Sequence, residues 1–457
     1  MKYDYDLLVI GSGSAGFSAA HAAKGQGRKI GIVEADRLGG ECPNWACVPT
    51  KALLKSAKVY RDLLQTQMYG VTSKDVTADF VEIMKRRGQI VGALGGSRIE
   101  KIADKLGIDV LHGFATFLDA HTVQIDDKQV TSDKFVIATG SSTFVPEIPG
   151  IDQVAWIGFK EAVTFDALPE SMTIIGGGPV GCELALIYAS FGTRVTIIQH
   201  AGALLNREEP EISELVANQF AVLNIHVELN AEVIRVEKAE KGTQTKVRVG
   251  KEMKIIKSQV LVLATGKKAN TAGLGCQAAG VQLDARGNVL TNSELVTSAQ
   301  NIWAAGDVDG GMLFTHTAHY EGSLAGANAF AKTPRQVDER VVPRVTFVDP
   351  EVASVGMTEA EVREKYGTVL VGTFYMRGLG RAYIDGNTKG FVKLVADPKT
   401  RKLLGGHIVS ERAGELIHEV ALAIHLKARM DDLAEMIHAY PTYSEAVAGA
   451  ATMAEVV

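Results

Sequence analysis

The chain has 457 residues, of which 46% are hydrophobic, and this length predicts about three domains with sizeable cores. A net charge of −5 gives no electrostatic reason to expect nucleic acid or an anionic membrane surface as a partner. Residues 1–6 are polar and no apolar run is long enough to span a bilayer, so we expect a cytoplasmic protein.

The chain opens with a strand, a glycine loop, a helix and a second strand. Residues 5–10 have a buried-strand pattern, and Gly11, Gly13 and Gly16 then follow the G-x-G-x-x-G spacing. In such a loop the glycines permit a tight turn, close approach of a pyrophosphate and close packing of helix on strand. The next strand ends at Glu34, where an acid binds ribose hydroxyls. The unit predicts a dinucleotide site, with purely structural glycines as the alternative.

A cysteine pair follows almost at once. Cys42 and Cys47 lie in a glycine-flanked segment, and such a pair indicates a metal-binding, catalytic or redox-active function. We disfavour half of a zinc site, because no second Cys/His pair has metal-ligand spacing, and we predict no metal site. Trp45 between them is interpreted as a packing residue, with shaping of access to the site as the alternative. Cys182 and Cys276, in apolar or small-residue surroundings, are predicted to be buried.

The opening unit is repeated further along the chain. Residues 173–198 again predict strand, glycine loop, helix and strand, with Gly176, Gly178 and Gly181 in the loop. Both copies end in Ala-Thr-Gly, at Gly140 and Gly266. Two such units predict two bound dinucleotides.

The remaining segments complete three predicted domains. A strand over residues 301–307 ends in Gly306-Asp307 and is expected to rejoin the first unit. Beyond residue 341, strands (344–348, 390–395, 403–410) alternate with helices (415–427, 430–438), which predicts an α+β domain. The predicted domains are 1–148 with 271–340, 149–270, and 341–457.

The cysteine segment carries a specific resemblance. Residues 39–51, GGECPNWACVPTK, resemble the G-G-x-C-x-N-x-x-C-x-P-[ST]-K site of class I pyridine nucleotide-disulfide oxidoreductases. This family includes dihydrolipoamide dehydrogenase, glutathione reductase and mercuric reductase, and the likeness covers essentially the whole chain. It implies an α/β homodimer with Rossmann-like domains for FAD and NAD(P) and a C-terminal α+β dimerisation domain.

The resemblance also implies residue roles. Cys47 would contact the flavin, Cys42 would exchange with substrate, and Lys51 would pair with Glu183 near the reactive flavin edge. The residues expected to bind FAD are Gly11, Gly13, Gly16, Glu34, Gly40, Thr139, Gly140, Gly306 and Asp307, of which Asp307 would bind the ribityl chain. Those expected to bind NAD(P) are Gly176, Gly178, Gly181, Glu183, Gln199, His200 and Gly266.

The choice of nicotinamide cofactor depends on the end of the second strand. Gln199 and His200 stand where Glu favours NAD and Arg favours NADP. Gly at position 181 favours NAD, whereas His200 and Arg207 could accommodate a 2′-phosphate. We favour NADH.

One departure from the family concerns the acid–base residue. Disulfide-reducing members carry His-Pro-x-x-x-Glu across the dimer interface, and here Pro441 and Glu445 match but Tyr440 replaces the histidine. A phenol, with a pKa near ~10, is a poor base at neutral pH. His438, two residues upstream, is either a substitute base or a helix-end residue that caps carbonyls.

Three functions remain open. The first is an NAD(P)H-dependent flavoprotein that reduces a small-molecule acceptor needing little base catalysis. The second is a mercuric-reductase-like enzyme with Tyr440 or Tyr443 near the metal. That match is partial, because the sequence has no vicinal cysteine pair near residue 457 and no N-terminal metal-binding extension. The third is a non-enzymatic flavin redox sensor or complex subunit.

Overall fold

The computed structural model describes residues 2–25 and 27–457. The first of its segments contains one central sheet with helices on its faces. Its elements are β1 Tyr5–Ile10, α1 Ser14–Ala23, β2 Ile30–Glu34, α2 Glu41–Asn44, α3 Cys47–Leu64, α4 Phe80–Leu94, α5 Gly96–Leu106, β3 Asp109–His112, β4 Ala115–Phe117, β5 Thr122–Ile125, β6 Lys128–Ile137 and β7 Ser141–Thr143.

The first sheet has a parallel core in the order β3-β2-β1-β6. Leu8 of β1 lies opposite Gly31 and Phe135 in the neighbouring strands, and Leu7, Leu8 and Val9 are fully buried. β4 and β5 extend the first half of β6 as an antiparallel meander. The carboxyl ends of β1, β2 and β6 therefore meet at one edge, where parallel sheets bind their ligands.

The second segment repeats this arrangement, as the sequence predicted. Its elements are α6 Phe159–Ala162, β8 Ser171–Ile175, α7 Pro179–Ser190, β9 Arg194–Ile198, α8 Pro210–Val222, β10 His226–Glu228, β11 Ala231–Lys238, β12 Thr243–Val249, β13 Glu252–Ser258, β14 Val260–Leu263 and β15 Lys267–Ala269. The sheet β10-β9-β8-β14 is parallel throughout, and β11 to β13 form a separate antiparallel meander. The two predicted dinucleotide-binding folds are confirmed.

After β15, the chain returns to the first sheet. β16 (Ile302–Ala304) pairs in parallel with β6, and α9 (Thr315–Asn328) packs against α1. A Cβ atom at Gly322 would lie 2.0 Å from the Ala15 carbonyl oxygen, and one at Gly326 would lie 2.1 Å from that of Ala19. This helix crossing therefore requires glycine at both positions. The residue boundaries given above for the three domains stay a prediction.

The C-terminal segment is an antiparallel sheet with helices, which confirms the predicted α+β class. Its elements are β17 Arg344–Thr346, β18 Glu351–Gly356, α10 Glu359–Tyr366, β19 Leu370–Tyr375, α11 Gly380–Ile384, β20 Phe391–Ala396, β21 Leu403–Ser410, α12 Ala413–His425, α13 Met430–Glu435, α14 Glu445–Thr452 and β22 Glu455–Val456. The strand order is β17-β18-β21-β20-β19-β22.

One predicted helix boundary is wrong. The helix predicted over residues 430–438 ends at Glu435, because Met436 adopts extended backbone angles (φ −70°, ψ 134°). His438 consequently lies in a loop rather than at a helix end. Among the described residues, no helix is long and apolar enough to cross a membrane.

A buried lysine joins the second segment to the C-terminal sheet. Lys393 of β20 has a side chain only 4% exposed, and its ammonium lies 2.8–2.9 Å from carboxylates of Glu209, Glu211 and Glu359. Burial lowers the pKa of Lys393, but its hydrogen bonds to these carboxylates outweigh burial and the pKa is raised. The three carboxylates come close enough to suit a metal ion, but the ammonium already occupies the space between them.

Candidate functional site

The cysteine pair lies where two helices begin. Cys42 belongs to the short helix α2, and Cys47 is the first residue of α3. Both are partly buried free thiols, whereas Cys182 and Cys276 are buried, as predicted. The first turn of α3 contains no acidic residue, so its free N–H groups and dipole favour negative charge at Cys47.

The two thiols have opposite acidities. A hydrogen bond from Cys42 lowers the pKa of Cys47 to about 6, with further help from Thr315 and the charge of Lys51, against the effect of burial. The hydrogen bond to Cys47, together with burial, raises the pKa of Cys42. Cys47 is therefore the thiolate and Cys42 the protonated thiol. The expected roles, in which Cys47 faces the flavin and Cys42 exchanges with substrate, stay a prediction.

Thr315 is a site residue that the sequence did not reveal. Its hydroxyl lies 3.2 Å from Cys47 Sγ, and its carbonyl oxygen accepts a hydrogen bond from Ser14 Oγ at 3.0 Å. It is the first residue of α9, 268 positions from Cys47. An isolated threonine carries no motif, so only the return of the chain to the first sheet could have indicated it.

The charge state of Cys47 gives a testable pH dependence. In the reduced, FAD-loaded protein we expect the long-wavelength thiolate–flavin absorbance above pH 6 and its loss below, because the thiolate forms above the pKa of about 6. Replacing Thr315 by Val removes a hydrogen bond to the thiolate and should raise the midpoint by roughly one pH unit. Thr315→Ser, which keeps the hydroxyl, is the control. An unchanged midpoint in Thr315→Val would contradict the assigned contact.

Lys51 and Glu183 form a link between helices. Lys51 Nζ donates to Glu183 Oε2 at 2.8 Å and lies 4.6 Å from the ring centroid of Phe347. Glu183 Oε1 accepts from the backbone N–H of Phe347 at 3.0 Å. The carboxylate of α7 thus fixes the lysine one helical turn beyond Cys47 and ties both to the start of the C-terminal segment. The role of Lys51 beside a flavin stays a prediction.

The first glycine loop packs tightly against neighbouring backbone. A Cβ at Gly11 (φ +102°) would lie 2.3 Å from the Ala138 carbonyl oxygen, and one at Gly16 would lie 1.9 Å from that of Gly11. A Cβ at Gly40 would lie 2.7 Å from Gly13 Cα. The backbone of two loops therefore converges at the N-terminus of α1, whose first turn has no acidic residue. These residues fit an FAD pyrophosphate.

The other expected FAD residues border the same edge of the sheet. Glu34 accepts hydrogen bonds from Ser12 and from the Asp36 N–H, and its carboxylate lies at the end of β2. Asp307 accepts from Ser141 Oγ at 2.5 Å, and it directly follows Gly306 (φ +78°). Thr139 Oγ donates to the Asn270 carbonyl at 2.8 Å, which positions the turn at Gly140. Bound FAD would supply the two-electron relay between a nicotinamide and the cysteine pair.

The second glycine loop has the same form. A Cβ at Gly176 would lie 2.2 Å from the Ala264 carbonyl oxygen, whereas a Cβ at Gly178 meets no atom within 4 Å. The amide of Gln199 accepts from the Gly177 N–H at 3.0 Å and donates to the Ala203 carbonyl at 3.2 Å. The side-chain amide of Gln199 therefore fixes the backbone of the glycine loop. His200 is exposed beside it, and Gly266 follows β14 with φ +109°.

The candidate site residues of the C-terminal segment, Tyr440, His438 and Glu445, lie in different environments. Tyr440 is 80% exposed. The His438 side chain is only 5% exposed, its Nδ1 lies 3.0 Å from the Met436 carbonyl oxygen, and its Nε2 lies 2.8 Å from Glu419 Oε1. Glu445 Oε1 accepts from the Thr442 N–H at 2.8 Å. Both imidazole nitrogens and the glutamate thus have partners within the subunit.

Family models match nearly the whole chain. Residues 5–322 match the pyridine nucleotide-disulphide oxidoreductase model, and residues 342–451 match the dimerisation domain of the same family. The chain belongs to this family. It is an NAD(P)H-dependent flavoprotein disulfide oxidoreductase, and its dimerisation domain supports a homodimer.

Relatives of this oxidoreductase are named for different substrates. It is 35% identical to a mercuric reductase of Staphylococcus aureus over 97% of this chain and 81% of the relative. It is 36% identical to a dihydrolipoyl dehydrogenase of Chlorobaculum parvum over 98% and 96%. The HOCl-induced flavoprotein disulfide reductase RclA from Escherichia coli superposes with a TM-score of 0.87 at 30% identity, covering 98% and 100%. RclA is also solved as a Cu(II) complex.

Proposed function

We propose that this oxidoreductase passes electrons from NAD(P)H through FAD and the Cys42–Cys47 pair to a thiol-binding metal ion such as Hg(II) or Cu(II). The proposal rests on the residues found at and near the acid–base position. An exposed phenol, Tyr440, stands there, and the nearby imidazole of His438 is buried against Glu419. An acceptor that needs no proton suits this site best.

Disulfide and metal-ion acceptors differ in whether their reduction consumes or releases a proton. Reduction of a disulfide by NAD(P)H to two thiols consumes one proton, which must reach a sulfur atom. Reduction of Hg(II) to Hg(0), or of two Cu(II) to two Cu(I), takes the same two electrons and releases the proton of the hydride. A histidine near neutral pKa serves the first reaction, and the second needs none. Thiolates are the ligands that soft metal ions prefer.

The relatives support this acceptor class. Several are mercuric reductases, and RclA is solved with Cu(II). The relatives are enzymes, which favours an enzyme over a redox sensor. A dihydrolipoamide-type disulfide substrate is the second candidate, because dihydrolipoyl dehydrogenases match at 36% identity, similar to the mercuric reductases.

We further propose NADH as the preferred reductant. Gln199 replaces the guanidinium that would bind a 2′-phosphate, and its amide is engaged by Gly177 and Ala203. Exposed His200 and Arg207 are the cations that could reverse this preference. A kcat/KM with NADPH above that with NADH would contradict the proposal.

We propose that the dimer forms through an apolar face of the C-terminal segment. Its exposed side chains include Leu422, Leu426, Met436 and Ile437, of which Ile437 is 96% exposed. Tyr440 belongs to the same loop as Ile437. Dimer formation through this face would bring Tyr440 towards the partner subunit.

An acceptor screen tests the proposed function. We expect Hg(II), supplied as its thiol complex, or Cu(II), supplied without added thiol, to stimulate NADH oxidation with kcat/KM at least roughly tenfold above that of lipoamide or glutathione disulfide. Tyr440→His should raise the disulfide reductase rate by about 10²-fold, because it restores a base of suitable pKa. Tyr366→His, on the surface of α10, is the matched control. Efficient lipoamide reduction by the unaltered enzyme, without any response to metal ions, would refute the metal-ion proposal.

A further inference from the structure

Trp45, which lies between the two cysteines in the sequence, contacts two cations. The guanidinium carbon of Arg37 and the ammonium of Lys160 each lie 4.4 Å from the centroid of its indole ring. Both distances are within the range of a cation–π contact, for which tryptophan is the best ring. The indole is therefore a fixed part of the loop rather than a simple filler.

The two cations come from different segments of the fold. Arg37 precedes the cysteine loop in the first segment, and Lys160 belongs to α6 in the second. Lys160 also donates to Asp36 Oδ2 at 2.7 Å, and Asp36 is the neighbour of Arg37. We call this group of contacting residues the indole clamp; it consists of Asp36, Arg37, Trp45 and Lys160.

A second contact ties the same loop to the second segment. Glu41 binds Lys267, whose ammonium lies 4.4 Å above the ring of Phe159, next to Lys160. Within the loop, Asn44 is buried and its side-chain amide donates to the carbonyl oxygens of Leu38 and Gly40 at 3.0 and 2.8 Å. The segment that carries Cys42 is therefore fixed twice, by Glu41 to the second segment and by Asn44 to its own backbone.

We propose that Trp45 is a positioning residue for the redox pair, which keeps Cys42 Sγ within bonding reach of Cys47 Sγ when the disulfide is open. The inference rests on the proposed role of the Cys42–Cys47 pair and not on the identity of the acceptor. In each cycle the S–S bond takes up two electrons and one proton, and gives the Cys47 thiolate and the Cys42 thiol. Reoxidation requires the same sulfur atoms to meet again.

The clamp has a predictable thermodynamic effect. When the loop holds Cys42 beside Cys47, the two thiols have a higher effective concentration. This favours the disulfide over the dithiol. Loss of two exposed cation–π contacts together changes an equilibrium constant by about tenfold. Loosening the loop should therefore make the disulfide easier to reduce, with the reduction potential raised by about 30 mV for that tenfold change.

The experiment measures the thiol–disulfide equilibrium of the FAD-loaded protein in dithiothreitol redox buffers, read by alkylation of free thiols. We expect Trp45→Leu to lower the equilibrium constant for disulfide formation about tenfold, and Trp45→Phe to lower it less, because the aromatic face remains. Lys160→Met should give part of the effect, and Trp45→Leu with Lys160→Met should be less than additive. Lys268→Met, at an exposed neighbouring position, should leave the equilibrium unchanged.

An equilibrium constant for Trp45→Leu within twofold of the unaltered protein would overturn the inference. If Trp45→Leu does not retain FAD, Lys160→Met carries the test, because it leaves the indole in place. The proposed function fails differently. It fails if NADH does not reduce the Cys42–Cys47 disulfide in the unaltered protein, or if the acceptor screen gives lipoamide reduction without a response to metal ions. In both cases the dithiothreitol equilibrium still reports on the clamp.

Discussion

Replacing Cys47 by serine is expected to abolish steady-state acceptor reduction, with a loss of about three orders of magnitude or more in kcat. A serine hydroxyl cannot form or break a bond to Cys42 sulfur, so electrons have no path from the nicotinamide side to the acceptor. Binding of NAD(P)H and of FAD should persist, because the glycine loops that we propose as their sites do not include Cys47. Stopped-flow absorbance should therefore show one rapid anaerobic turnover and then no further oxidation.

The controls for this prediction come from the same chain. Cys42→Ser should abolish turnover to a similar extent but leave Cys47 to form the long-wavelength band, since Cys47 is the lower-pKa thiol. Cys276→Ala, at a buried position outside the site, should keep turnover near that of the unaltered enzyme. Persistent steady-state turnover in Cys47→Ser would refute the cysteine relay.

Replacing Lys393 by methionine is expected to destabilise the fold by about 3–5 kcal/mol, the usual cost of removing one partner from a buried ion pair. Three carboxylates, from Glu209, Glu211 and Glu359, lose their shared cation, and Glu209 is itself nearly inaccessible to water. The Lys393–Glu209 contact crosses from β20 to the start of α8. We therefore expect the second segment and the C-terminal sheet to loosen together.

Urea and thermal unfolding of the FAD-loaded protein measure this loss. Lys389→Met, at an exposed position of the adjacent loop, is the matched control. Equal unfolding midpoints for the two variants would contradict the assigned role of Lys393.

Much of the fold was predictable, because glycine patterns report backbone geometry directly. Gly11 and Gly176 both have positive φ and both turn against a carbonyl at the end of a parallel strand, as a G-x-G-x-x-G loop requires. The return of residues 302–304 to the first sheet was also predictable from the repeated strand pattern. The glycine turns are local, so the sequence encodes them within short windows, whereas the return to β6 is a long-range pairing that the strand ending in Gly306-Asp307 indicated.

Contacts between distant residues could not be predicted in the same way. Thr315 and Cys47 meet only because α9 crosses α1, and Lys393 meets Glu209 only because two separate segments dock. The partnership of His438 with Glu419 depends on where α13 ends, which side-chain periodicity alone places three residues too late. Pairings of this kind are set by tertiary packing, not by a motif.

The crossing of α1 and α9 has a consequence for sulfur chemistry. Gly322 and Gly326 lie seven and eleven residues beyond Thr315 on the same rigid helix, and each touches the backbone of α1. An added methyl group there would push α9 outward as a unit and carry the Thr315 hydroxyl away from Cys47. The acidity of the Cys47 thiol thus depends in part on the absence of two side chains where α1 and α9 meet.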